Sequence, residues 1–203
     1  MCGITSEAEA ELAVECGADG IGLILASSPR QISFDRAVAI TRSLPPFITP
    51  TVVMVDPAEH DVREVADAIP NALLQFSGEE APELVALFRY RAIKAIHVTP
   101  ESDADAILAQ CNRFIGSNLL LDTAVGALRG GSGRTFPWRI ARNVAASRRI
   151  VLAGGLNAQN VYDAINEVRP YAVDVRSGIE AEGKKSKTRM LAFVEEVRRA
   201  DRA

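Results

Sequence analysis

Residues 149–168 read RIVLAGGLNAQNVYDAINEV, and the order of chemistry along this stretch decides the fold. RIVLA (149–153) is a short apolar run without alternation. Such a run fits a strand buried on both faces, as in a parallel sheet. Gly154 and Gly155 then break it, and Asn157 is a residue type that starts helices by accepting a backbone hydrogen bond. Val161, Ala164, Ile165 and Val168 follow at helical spacing. One apolar stripe docks one helix face on a sheet. The stretch is a strand, a glycine loop and an amphipathic helix.

The unit recurs in both directions. Apolar runs stand at 21–25 (IGLIL), 51–55 (TVVMV), 72–76 (ALLQF), 92–96 (AIKAI), 118–122 (NLLLD) and 171–175 (YAVDV). Helical stripes stand between them: Ala37, Ile40, Thr41, Leu44; Val62, Val65, Ala66, Ile69; Ala104, Ile107, Leu108, Cys111; and Met190, Phe193, Val194, Val197. Weaker helices fit 7–16, 80–90 and 137–147, the first with Ser6 as its N-cap and Gly17 as its stop. The chain thus presents eight helices but seven full strands, the first strand being reduced to a stub at Met1-Cys2. Strict alternation means parallel strands with right-handed crossovers. Eight units close into an α/β (β/α)8 barrel, for which ~200 residues is the small end. An open doubly wound sheet is the rival. Polar and glycine residues end many strands here, not those at one switch point, which favours the barrel. One domain over 1–203 is expected, with SLPPF (43–47) a helix stop and 125–138 a long glycine-rich βα loop.

Composition narrows the function. The formal net charge is −3 and no basic run has the density of a nucleic-acid footprint. GKKSK (183–187) reads as a solvated loop. No apolar stretch is long enough to span a bilayer and no signal peptide is apparent, so no membrane partner is expected. Cys2, Cys16 and Cys111 form neither a disulfide framework nor a zinc pair, which fits a reducing cytoplasm. Cys16 and Cys111 read as small core residues. His60 and His97 do not cluster with other ligands, so no metal is expected, and neither looks placed at the rim.

In a barrel the βα loops build the active site. The AGGLN and DVRSGIE loops follow adjacent strands, and Gly154, Gly155, Ser177 and Gly178 would offer bare N–H groups to a phosphate. Each loop alone reads as a turn; the two together, after adjacent strands, read as an anion site. GGSGRT (130–135) is not a P-loop: Leu128 stands where its first glycine belongs and Arg134 where its lysine belongs. Asp122 ends the run LLL, where partial desolvation would raise its pKa toward that of a general acid; an ordinary helix-capping Asp is the alternative. Asp174 has a similar position. Cys2 lies across the rim, since the opening stub closes against the last strand. A nearby positive charge would raise its thiolate share. Acid and thiolate together suggest a proton-relocating isomerase, and a Ser–His–Asp hydrolase is disfavoured.

The set CGIT, SPRQIS, LLLDT, GGSGRTFPW, LAGGLN and RPYAVDVRSGIE resembles the phosphoribosylanthranilate isomerase family of tryptophan biosynthesis, from residue 2 to about 199. The resemblance implies a ribulose-phosphate-binding barrel and a cofactor-free Amadori rearrangement of N-(5-phosphoribosyl)anthranilate. It implies Asp122 as general acid and Cys2 as general base. Arg30 would be the partner of the anthranilate carboxylate, and Asp174 a second polar group near the sugar. The phosphate would rest on Gly154, Gly155, Ser177 and Gly178, under a lid formed by 125–136. The only partner implied is the small phosphosugar substrate. A monomer is expected, with pairing through an open edge at the stub as the alternative. Members of that family carry several residues before the cysteine, so either the chain starts earlier or Met1-Cys2 is held by tertiary contacts alone. Ser77 stands where the family often has a histidine. The competing functions are another phosphosugar isomerase or epimerase, or a barrel that binds without catalysis.

Overall fold

In the computed structural model, which describes residues 1–125, 128–129 and 135–203, every expected run is a strand and every expected stripe a helix. The strands are β1 (Gly20–Ile24), β2 (Thr49–Met54), β3 (Leu73–Phe76), β4 (Ala92–Val98), β5 (Asn118–Val125), β6 (Leu128–Arg129), β7 (Ile150–Leu152), β8 (Ala172–Val173), β9 (Glu180–Ala181) and β10 (Lys184–Lys185). The helices are α1 (Glu7–Glu15), α2 (Phe34–Ser43), α3 (Glu59–Ala68), α4 (Pro82–Leu87), α5 (Ala104–Asn112), α6 (Trp138–Ala145), α7 (Val161–Val168) and α8 (Lys187–Asp201). The short pieces β6, β9 and β10 were not legible as apolar runs. The expected lid at 125–136 lies largely outside the described residues.

Local chemistry sets the helix starts. The side chains of Ser6, Ser33, Asp103 and Ser186 each accept the backbone N–H three residues on, satisfying one of the orphan donors of a helix N-terminus. Asn157 is displaced from its expected role. α7 begins four residues later, behind Asn160, and Asn157 Oδ1 instead accepts from Gln159 N–H at 2.8 Å, capping the turn before the helix.

The sheet runs β1-β2-β3-β4-β5-β7-β8, every neighbouring pair parallel, with β6 antiparallel on β5. The opening stub closes it. Cys2 bridges Gly22 of β1 in parallel, and Cys2 N–H donates to Val175 O beyond β8 at 2.8 Å. The barrel is therefore a (β/α)8 barrel whose first strand is reduced to one bridge. Alternation along the strands divides the core. Leu119, Leu121, Ile96 and Leu74 pack outward among the helices in the large cluster, whereas Ile93, Ala95, Leu120 and Ala153 fill the barrel interior. Cys16 and Cys111 belong to the outer cluster, as their stripes imply.

Candidate active site

The inward-facing alternation continues past the interior core to the C-terminal ends of the strands. There it brings Cys2, Gln75, Ser77, His97, Asp122 and Asp174 around one cavity of about 260 Å³. Gly154, Gly155, Arg176 and Ser177 line the same cavity from the loops after β7 and β8.

Asp122 follows Leu120 on the inner face of β5. Burial raises its carboxyl, the His97 ring and the Thr123 N–H pull it back, and the Asp174 carboxylate adds to the rise; the result is about 6. Thr123 N–H donates to Asp122 Oδ1 at 2.8 Å, which fixes the carboxyl's orientation. A group at that value holds a proton and gives it up near neutrality.

Cys2 is held by backbone on both sides, and its thiol occupies space that only a glycine opposite can leave. A Cβ on Gly22 would lie 2.6 Å from Cys2 Sγ. Burial pushes the Cys2 thiol up to about 12, with Asp174 adding to the rise. The Met1 amino group, Lys185 and Arg176 pull it down. The positive neighbours expected from the sequence are present, but burial outweighs them.

The other expected residues divide. Gly154 adopts φ +88°, and a Cβ there would lie 2.3 Å from Thr123 Oγ1, so only glycine lets this loop settle on β5. Gly154, Gly155 and Ser177 reach the main cavity. Gly178 lines an adjoining hollow with Gly155, Ser177 and Arg189, and its bare Cα packs on the Leu156 carbonyl, where a Cβ would lie 2.0 Å away. It brings the two glycine loops together. Arg30 does not line the cavity, although its neighbours Ser28 and Pro29 do. Its Nε and Nη2 grip Glu180 at 3.1 and 2.9 Å, while Nη1 donates to its neighbour's carbonyl, Pro29 O, at 3.2 Å in an exposed contact.

Three lining residues were missed: His97, Arg176 and Gln75. His97 faces Asp122 across the β4–β5 register and lines the cavity, contrary to the expectation that neither histidine sits at the rim. Its Nε2 lies 3.0 Å from Ser77 O, and a carbonyl only accepts, so Nε2 carries a hydrogen. Its Nδ1 is buried and has no hydrogen-bond partner among the described residues. Arg176 was passed over as part of a turn. The alternation Ile93, Ala95, His97 was the available signal for the first.

Comparison with known proteins bears on the family and the fold. Residues 1–196 match the family model described as N-(5'phosphoribosyl)anthranilate (PRA) isomerase. The chain is 42% identical to the N-(5'-phosphoribosyl)anthranilate isomerase of Pelobacter propionicus over 196 residues, 96% of this chain and 92% of that one. It is also 42% identical to that of Pseudomonas paraeruginosa, over 98% of this chain and 93% of that one. The crystal structure of the Thermotoga maritima phosphoribosyl anthranilate isomerase superposes with a TM-score of 0.87 at 36% identity, covering 98% of this chain and 97% of that one. A related isomerase structure, in complex with reduced 1-(o-carboxyphenylamino)-1-deoxyribulose 5-phosphate, gives 0.83 at 34% identity, covering 97% of this chain and 96% of that one. This chain belongs to the N-(5'-phosphoribosyl)anthranilate isomerase family.

Proposed function

We propose that this chain, as one barrel domain, converts N-(5-phosphoribosyl)anthranilate to 1-(2-carboxyphenylamino)-1-deoxyribulose 5-phosphate in tryptophan biosynthesis, with Asp122 as acid and Cys2 as base. The observation that carries this reading is a carboxyl poised at about 6 and a thiol lining one cavity beside two glycine loops. The carboxyl of Asp122 gives its proton to the furanose ring oxygen. The C1′–O bond breaks as the nitrogen lone pair forms a C=N bond. The Cys2 thiolate then takes the C2′ proton, and the C–H electron pair moves in to give an enolamine. Tautomerisation moves the hydroxyl proton to C1′ and leaves the ketone. Reactant and product are isomers, so no cofactor is consumed.

The remaining roles follow from position. The backbone of Gly154 and Gly155, with Ser177 and the loop fixed by Gly178, suits the phosphate. Arg30 suits the anthranilate carboxylate through Nη1, whose present contact with Pro29 O is exposed and replaceable. Asp174 lies beside both reacting groups and keeps either from ionising early. The chain acts as a monomer in the cytoplasm; a Thermotoga maritima relative was solved as monomers generated from a dimeric isomerase, and sedimentation at working concentration decides the state.

The test is turnover of the fluorescent anthranilate sugar. Asp122→Asn and Cys2→Ala should each lower kcat by ~10²–10⁴, the range for a positioned acid or base. Near-normal turnover in either variant removes that residue from the mechanism.

A further inference from the structure

The composition of GKKSK suggests a solvated loop, and Lys184 and Lys187 are exposed, but the side chain of Lys185 is only 1% exposed. Its ammonium donates to Cys2 O at 2.6 Å, to Glu180 Oε1 at 2.9 Å and to Arg176 O at 3.5 Å. Three N–H groups thus meet three acceptors. Holding a backbone carbonyl needs only a neutral donor, and burying an ammonium to do it is costly unless the charge is matched. It is not fully matched. Glu180 accepts from Arg30 as well, through Nε and Nη2, so one carboxylate serves two cations. Burial raises Glu180, but its hydrogen bonds from Arg30 and Lys185 outweigh this and hold it ionised below the usual carboxylate range.

We propose that Lys185 is a positioning residue for Cys2: it fixes the Cys2 carbonyl and leaves beside it a surplus buried positive charge that the thiolate form of Cys2 matches. The inference rests on the reading of Cys2 as the base. The charged groups around Cys2 are few. Asp174 and Arg176 face it from the end of β8, Lys185 from β10, and the Met1 amino group from the chain start. Asp174 opposes ionisation and the three cations favour it. Lys185 alone of these also bonds the Cys2 backbone among the described residues.

The experiment measures the alkylation of Cys2 by iodoacetamide at fixed pH, followed by mass spectrometry of its peptide, alongside kcat and KM. Lys185→Gln keeps amide donors for the carbonyls and drops the charge; Lys185→Arg keeps the charge. Lys185→Gln should slow alkylation about tenfold and lower kcat to match, with KM nearly unchanged, and Lys185→Arg should recover most of both. Glu180→Gln frees the lysine's charge and should speed alkylation; it also serves if Lys185→Gln does not fold. Unchanged or faster alkylation in Lys185→Gln, or slower alkylation in Glu180→Gln, overturns the proposal. Alkylation reads the thiol without turnover, so the two readings fail separately. Normal turnover in Cys2→Ala removes the base. Loss of turnover in Cys2→Ala with wild-type alkylation in Lys185→Gln removes only the role of Lys185.

Discussion

A carboxyl at about 6 and a thiol at about 12 share one cavity, and their protonation states oppose each other in the reaction. The productive form has Asp122 protonated and Cys2 ionised. Above about pH 6, each further unit removes tenfold of the protonated acid and adds tenfold of the thiolate, so the product stays constant. Below that, Asp122 is already fully protonated, and only the thiolate continues to shrink. kcat/KM, which reports the free enzyme, should therefore be level from about pH 7 to 11 and fall tenfold per unit below about 6. Stopped assays across buffers of constant ionic strength check this, and a rate that falls through pH 7 to 9 contradicts the assignment. Asp122 was legible because LLL-D is a hydrophobic run ending in a carboxylate. His97 was not, because the apolar run AIKAI stops at residue 96 whereas β4 continues to Val98. A strand keeps its geometry past the point where its inner face turns polar, and that polar end is the active site.

At the scale of elements, buried charge does work that patterning conceals. Lys94 interrupts the apolar run of β4, yet its side chain is 3% exposed and Glu80's is 1%. Lys94 Nζ donates to Glu80 Oε2 at 2.8 Å, Gly78 O at 2.7 Å and Phe76 O at 3.2 Å. Glu80 Oε1 in turn accepts from Gly78 N–H at 2.8 Å and Asp56 N–H at 3.0 Å. The network joins β4 to the loops after β2 and β3, and its two carbonyls flank Ser77, whose own carbonyl holds His97. Removing one partner strands the other charge in the interior. Lys94→Met should cost ~3–5 kcal/mol, which at ~2–4 °C per kcal/mol for a chain of this size lowers Tm by about ten degrees. Denaturant titration measures it; a cost below about 1 kcal/mol would mean water reaches the site. The partner of Lys94 lies fourteen residues back in the chain, and no local pattern joins them. Lys185, the partner of Glu180, was hidden in the same way, inside a basic run that composition assigns to solvent.

The whole molecule depends on closure. Seven parallel strands leave β1 and β8 as edges, and an uncovered edge invites pairing with other chains. The alternation of strand and helix revealed the barrel, but only geometry shows how a stub can complete it. Met1 N donates to Gly20 O at 2.9 Å and Gly22 N to Met1 O at 2.9 Å, while Gly3 N and Ile4 N both reach Gly22 O at 3.0 Å. On the other side Cys2 N reaches Val175 O. The same few residues therefore close the sheet and place the thiol. Gly22 is the point where both tasks meet, since a Cβ there would lie 2.6 Å from Cys2 Sγ and 3.0 Å from Cys2 Cα. Gly22→Ala must push the stub off β1. Hydrogen exchange should then quicken at residues 2–4, 20–24 and 173–176, with β4 and β5 as protected as before, because sub-global opening follows the weakest seam. Turnover should fall with it by ~10²-fold, the scale of loss when a reacting group is misplaced by about an ångström. Exchange that quickens equally in β4 and β5 would mean that the stub is a keystone for the entire sheet. Exchange unchanged at 20–24 would mean that neighbouring strands shift to admit the methyl group, and that closure tolerates what the packing forbids.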